Sequence, residues 1–202
     1  MEYLVLGFFT GLSLILAIGP QNIFVIEQGL KKKHIFLVCF ICSISDLILI
    51  FLGIFLFHYF FQYFNNTIEL IFNILLVIFL IHFIYSKIKL LNSKVNFSNE
   101  VQDYRKFNVF LKTLGFTYLN PHVYSDTVFF LGNFSKNFVL YQKILFGVGA
   151  SIASFIFFFA IGYLSKNLSK YVKSEKVWKL INIFIVSFMA ILTLFIISEM
   201  IR

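Results

Sequence analysis

Asp46 and Asp126 are the residues of this sequence best suited to chemistry, because each stands inside a long apolar stretch, in "CSISDLILIF" and "NPHVYSDTVFFLG". A carboxylate at the centre of a lipid-spanning helix costs about 2.5–3.5 kcal/mol even on lenient insertion scales, so both are expected to face a cavity or a partner. Two such carboxylates can hold a cation and can exchange it for protons. The plainer reading is a buried structural hydrogen bond that joins two helices.

Around Asp46, residues Cys39, Cys42, Ser43 and Gly53 recur at spacings of three, four and seven, which places one small, polar stripe along an otherwise bulky helix. A second polar line runs through Thr113, Thr117, Asn120, Tyr124 and Thr127. His122 stands four residues before Asp126, so the two can share a helix face.

The chain has two prolines, Pro20 and Pro121, 101 residues apart in a sequence of 202, and both are flanked by amide side chains, in "GPQN" and "LNPH". Proline inside a lipid-exposed helix forfeits a backbone hydrogen bond, and glutamine or asparagine beside it needs a polar partner, so both stretches must face protein or water. A break there leaves free amides on the following half-helix and free carbonyls on the preceding one. The amide end suits a carboxylate, while carbonyls and an aspartate suit an ammonium group. A small zwitterion is the ligand that such a site reads. The candidate substrate-binding residues are Gly19, Pro20, Gln21, Asn22, Asp46, Asn120, Pro121, His122, Tyr124 and Asp126; a simple packing kink at each proline is the alternative.

What must position these residues is a membrane. The chain is 60% hydrophobic and 13% charged, with a mean hydropathy of +0.90, against roughly 45–50% and about 25% in soluble domains. The expected fold is all-α and polytopic, with six transmembrane helices at 3–26, 35–60, 67–90, 109–134, 142–165 and 177–199. One transporter domain, 1–202, then divides into repeat one (1–91), a cytoplasmic linker (92–108) and repeat two (109–202). Three spans per half turn the halves in opposite directions, and a proline falls in the first span of each, the pattern of an inverted repeat whose broken helices meet near the midplane.

Fourteen of the 17 Lys and Arg fall in the first, third and fifth connections, among them Lys31, Lys32 and Lys33, Arg105 to Lys112, and Lys166 to Lys179. The positive-inside rule puts those connections in the cytoplasm and both termini outside. No basic region precedes the first apolar run and no small-residue cleavage pattern follows it, so that run is expected to be retained. The +8 net charge belongs to the loops and predicts no nucleic-acid partner. The 30 phenylalanines suit a lipid-facing surface.

The remaining features read as packing. Cys39 and Cys42 form a C-x-x-C inside an apolar helix, which favours small packing residues over a redox pair. Gly7 and Gly11, with Gly147, Ala150, Ser151 and Ser154, point to close helix packing rather than a dimer seam, although a homodimer stays open. No metal cluster and no phosphate loop or nucleotide motif can be built, so no cofactor is expected.

The stretches "GPQNIFVIEQGLKKKH" (19–34), "SDLILIFLGIF" (45–55) and "LNPHVYSDTVFFLG" (119–132) together resemble the lysine exporter (LysE) family of bacterial inner-membrane amino acid exporters, in order and over nearly the whole chain. The Asn-Pro-His-Val-Tyr-x-Asp-Thr run at 120–127 is similar to the lysine and arginine exporter branch, with Ser125 where that branch usually has leucine. The resemblance implies export of L-lysine or L-arginine from the cytoplasm across the inner membrane, driven by protons, with no nucleotide cofactor. It places Gly19, Pro20, Gln21, Asn22, Asp46, Asn120, Pro121, His122 and Asp126 in the family's motifs. The alternatives are export of another small amino acid and divalent metal efflux, which wants more converging ligands than are present. A thiol-disulfide carrier would want cysteines beside the helix breaks, and an enzyme would want a nucleophile and base pair.

Overall fold

Every described element of the chain is helical, as a sequence this apolar requires, since helices satisfy each backbone group within the segment where water is absent. The structure is a computed structural model that describes residues 1–16, 19–63, 66–92, 105–171 and 175–201, leaving aside the side chains of 58–63, 66, 69, 72, 86–87, 89–92, 121–122, 171, 175–178, 199 and 201. Most of the expected linker, 93–104, lies outside the described residues.

The chain opens with α1 (Glu2–Ile15) and α2 (Pro20–Lys31), followed by α3 (Ile35–Tyr63) and α4 (Asn66–Asn92). Then come α5 (Lys106–Tyr118), α6 (Pro121–Tyr124), a π-helical segment (Ser125–Phe130) and α7 (Leu131–Phe134). The last elements are α8 (Leu140–Leu168), a 3-10 turn (Ser169–Tyr171) and α9 (Glu175–Ile201).

Two of the expected spans are not single rods. The stretch expected as 3–26 is α1 and α2, bent 83° from one another, and with 14 and 12 residues each is only about 20 Å long, short of the roughly 30 Å of hydrocarbon. The stretch expected as 109–134 is divided among α5, α6, the π segment and α7. Among the described residues, Ile35–Phe57, Leu140–Leu168 and Lys179–Ser198 are long and apolar enough to cross a membrane, and the bent pair makes a fourth when taken as one. In α4 the apolar stretch is Asn73–Tyr85.

The packing follows from where small residues let backbones meet. α8 lies against α1, α2 and α3; α5, the π segment and α7 lie against α3; and α4 lies against α9. On α1, Gly7 and Gly11 face Phe146 and Ala150 of α8, where a Cβ on Gly11 would stand 2.9 Å from the Ala150 Cα. On α3, Gly53 faces Thr127 and Val128 of the π segment, and a Cβ on Gly132 of α7 would stand 2.6 Å from the Gly53 carbonyl oxygen. The glycine motif of α1 is therefore used inside the chain, in van der Waals contact between helices.

Two apolar clusters result. One joins Phe24 of α2, Val38 and Cys42 of α3, Leu76 and Phe83 of α4, Phe116 of α5, Phe158 of α8 and Ile185 of α9. The other joins Ile50 and Ile54 of α3, Leu131 of α7, and Phe146 and Ala150 of α8. The expectation that the phenylalanines clothe the lipid face holds for Phe9, Phe36 and Phe184. It fails for Phe24, Phe116, Phe146 and Phe158, which are fully buried and pack ring against ring or against the small faces of neighbouring helices.

Gly11→Val will force α1 away from α8 and lower stability by about 1–3 kcal/mol, read as thermal unfolding in detergent. Phe9→Val, on the exposed side of α1, will change it by less than about 0.5 kcal/mol.

Candidate functional site

The two helix breaks are solved in the same way. At the first, Gly19 is the N-cap of α2 and Pro20 its first residue, where a missing N–H removes nothing that the helix would have used. The Ile23 N–H returns to the Gly19 carbonyl at 3.2 Å. On the other side of the gap, the Asn22 Nδ2 donates to the carbonyl of Ile15, the last residue of α1, at 3.1 Å. At the second break, the Val123 N–H returns to the Asn120 carbonyl at 3.2 Å. The Tyr124 hydroxyl donates to the carbonyl of Tyr118, the last residue of α5, at 2.9 Å. In each case a side chain from the second half-helix reaches back to an orphaned carbonyl of the first.

Both breaks open on one cavity of about 390 Å³. Its polar lining is Gly19, Pro20, Gln21 and Asn22 from the first break, Asn120 from the second, Asp46 from α3, and Asp126 and Thr127 from the π segment. A Cβ on Gly19 would stand 3.9 Å from the Asn120 Nδ2, so the two breaks are neighbours. Apolar walls come from both clusters, including Ile50, Leu76, Leu131, Phe158 and Ile196.

Asp46 is buried, and the Ser154 hydroxyl of α8 donates to its Oδ2 at 2.8 Å. Asp126 lies within electrostatic reach of it. The buried Gln21 Nε2 has no hydrogen-bond acceptor within the protein, which leaves a donor at the cavity wall. The stripe of α3 points inward along its length: Cys39, Cys42, Ser43 and Asp46 are each no more than 3% exposed. Cys39 is occupied in packing, its thiol donating to the Phe158 carbonyl at 3.1 Å.

Of the ten residues that the sequence singled out, the cavity brings together Gly19, Pro20, Gln21, Asn22, Asp46, Asn120 and Asp126. Tyr124 does not line it and instead ties α6 to α5. The backbone of Pro121 and His122 starts α6, while their side chains lie outside the described residues. Sequence reasoning passed over Ser154 as a packing residue. Its small polar side chain, in line with Gly147, Ala150 and Ser151 on one helix face, was the available signal. Among the described residues no group of three His, Cys, Asp or Glu comes together in a way that could hold a metal.

The π segment places Asp126 where a regular helix would not. Its register is held by Thr127, whose hydroxyl donates to the Val123 carbonyl at 2.5 Å, and by the Leu131 N–H, which reaches the Asp126 carbonyl five residues back. Such a wide turn re-aims a side chain at the expense of a weaker backbone ladder.

Residues 12–200 match the family described as LysE type translocator. The chain belongs to that family. Among curated proteins, the arginine exporter protein ArgO of Pectobacterium carotovorum subsp. carotovorum is 33% identical over 181 residues, 89% of this chain and 88% of its own. ArgO of Salmonella typhimurium is 30% identical over 186 residues, 92% of this chain and 88% of its own. No solved structure matches the chain. With its long apolar helices, this LysE type translocator is a multi-pass membrane protein, in a family of transporters rather than enzymes.

Asn22→Leu keeps the branching at Cγ and removes the donor to the Ile15 carbonyl, and will lower stability by about 1–3 kcal/mol. Tyr124→Phe removes one hydroxyl at a half-buried site and will lower it by about 0.5–1.5 kcal/mol. Thermal unfolding in detergent reads both.

Proposed function

We propose that this chain exports basic amino acids, L-arginine or L-lysine, from the bacterial cytoplasm across the inner membrane in exchange for protons. The observation that carries the reading is that both proline breaks and both mid-helix aspartates line one cavity. Its volume of about 390 Å³ lies at the small end of ligand pockets, roughly 300–1,000 Å³, which suits one amino acid. The arginine exporters among its relatives support the same substrate class.

In this reading the first turn of α2 receives the substrate's carboxylate. Its free N–H groups and the positive end of the helix dipole point there, beside the unused Nε2 of Gln21. The carbonyl ends of the breaks and Asn120 hold the α-ammonium group. Asp46, steadied by Ser154, and Asp126 hold the side-chain cation. When the cation leaves to the outside, the carboxylates take protons in its place, and on the inside the next substrate cation displaces those protons. One buried positive charge replaces another, so neither step strands an isolated carboxylate.

The packing supports two inverted repeats within one domain, each of a broken helix and two long ones. Exchanging α1 and α2 for α5 to α7, α3 for α8, and α4 for α9 leaves the pairing of helices unchanged, because each broken helix lies on the long second helix of the other half. Six crossings follow, with the lysine-rich ends of α2 and α8 in the cytoplasm and both termini outside. The cargo is an amino acid and protons in a lipid bilayer; no nucleic acid takes part, and a homodimer is compatible with the arrangement.

Asp46→Asn and Asp126→Asn will each slow exchange of labelled arginine in vesicles by at least about thirtyfold, matching the 2 kcal/mol or more lost when one member of a buried charge pair is removed. Both will abolish its acceleration by an inward proton gradient. Exchange at the wild-type rate in either variant, at equal abundance in the membrane, would contradict the mechanism.

A further inference from the structure

A second charged site lies along α2, away from the cavity. Glu27 and Lys31, one turn apart, form an ion pair at 2.5 Å with both side chains only 1% exposed. Lys112 of α5 is within electrostatic reach of both, and its ammonium group lies 5.9 Å from the centre of the Phe83 ring. The charge pattern counts Lys112 with the third connection, whereas it stands two turns inside α5. Next to Glu27, Gln28 is 1% exposed, and neither its Nε2 nor its Oε1 has a hydrogen-bond partner.

The order of residues along the helices connects this cluster to the cavity. On α2 it runs Gln21 at the cavity wall, Phe24, Glu27 and Lys31; on α5, read backwards, it runs Asn120 at the wall, Phe116 and Lys112. Phe24 and Phe116 meet at 4.9 Å between ring centres, and Phe79 and Phe83 close on Phe116 at 4.8 and 5.1 Å. An aromatic cluster therefore separates the cavity from the charges. Gln28 repeats Gln21 at a spacing of seven, two turns on along the same helix face.

We propose that Glu27 is a second subsite for the cationic end of the substrate, on the lysine-rich side of the aromatic cluster, and that Lys31 fills it in this structure. This rests on the reading of the substrate as a basic amino acid. A buried carboxylate released from its partner is disfavoured even with Lys112 within electrostatic reach, so the pair opens far more readily when another cation takes the place of Lys31. Arginine or lysine makes that exchange at constant charge, and the released Lys31, at the last turn of α2, reaches the water-facing end of the helix. A neutral amino acid cannot replace it. The unmet amide of Gln28 supplies a donor and an acceptor for the substrate's polar groups. The subsite thus selects for charge before the substrate reaches Asp46 and Asp126.

The test uses the unmutated chain in vesicles, with a membrane-impermeant amine-acylating reagent on the Lys31 side and peptide mass spectrometry for detection. Saturating arginine will raise acylation of Lys31 relative to exposed Lys32 severalfold; citrulline, an uncharged isostere that consumes the reagent equally, will not. Equal protection of Lys31 under both would overturn the subsite. In the Glu27→Gln/Lys31→Gln variant, the ratio of arginine to citrulline affinity measured from that side will fall by about tenfold, and an unchanged ratio would likewise overturn it. Arginine exchange by the wild type in the same vesicles is measured in parallel. Its absence refutes the substrate reading itself, whereas its presence with a protected Lys31 refutes the subsite alone.

Discussion

A helix interrupted inside a bilayer leaves backbone groups that lipid cannot satisfy, and the arrangement of this protein follows from meeting that demand twice. At each break one orphaned carbonyl is met by a side chain from the half-helix beyond it, Asn22 on Ile15 and Tyr124 on Tyr118. Gly19, Gln21, Asn22 and Asn120 beside the breaks line a shared cavity. The same demand places the aspartates, since a carboxylate on α3 or on the π segment is tolerable only where it turns toward those groups.

Bringing two broken helices to one place requires the long helices to approach closely, and the small residues supply this. Gly7 and Gly11 seat α1 on α8, Gly29 seats α2 on Gly162, and Gly53 and Gly132 seat α7 on α3. Because these glycines face mostly backbone atoms of the neighbouring helix, little room is left for α1 or α7 to slide.

Much of this was legible in the sequence because it rests on chemistry that hydrocarbon forbids. Two prolines with amides, and two aspartates in apolar runs, stand out against any lipid-facing background. The inward stripe of Cys39, Cys42, Ser43 and Asp46 could be read from helical spacing alone. Tertiary contacts were less accessible. Buried Phe116 and exposed Phe184 are the same residue type in similar surroundings, so hydropathy cannot separate them. Tyr124 looked like a ligand because it lies between Asn120 and Asp126, but its bond to Tyr118 depends on how far the break turns the chain. The π turn at Asp126 has no sequence signature of its own, and the 83° bend between α1 and α2 exceeds what a proline kink alone suggests. Lys112 counted toward a loop because lysine usually does. The Phe83 ring and Glu27 nearby help to make its place in α5 tolerable.

The account depends on the two breaks being neighbours across a single cavity. Gly19→Cys and Asn120→Cys, combined in a chain whose Cys39 and Cys42 are replaced by alanine, test this through crosslinking by a short bifunctional thiol reagent in native membranes. The account predicts an efficient intramolecular crosslink, slowed by arginine, which would occupy the space between the two positions. Absence of a crosslink, with each cysteine alone labelled readily by a monofunctional reagent, would contradict it.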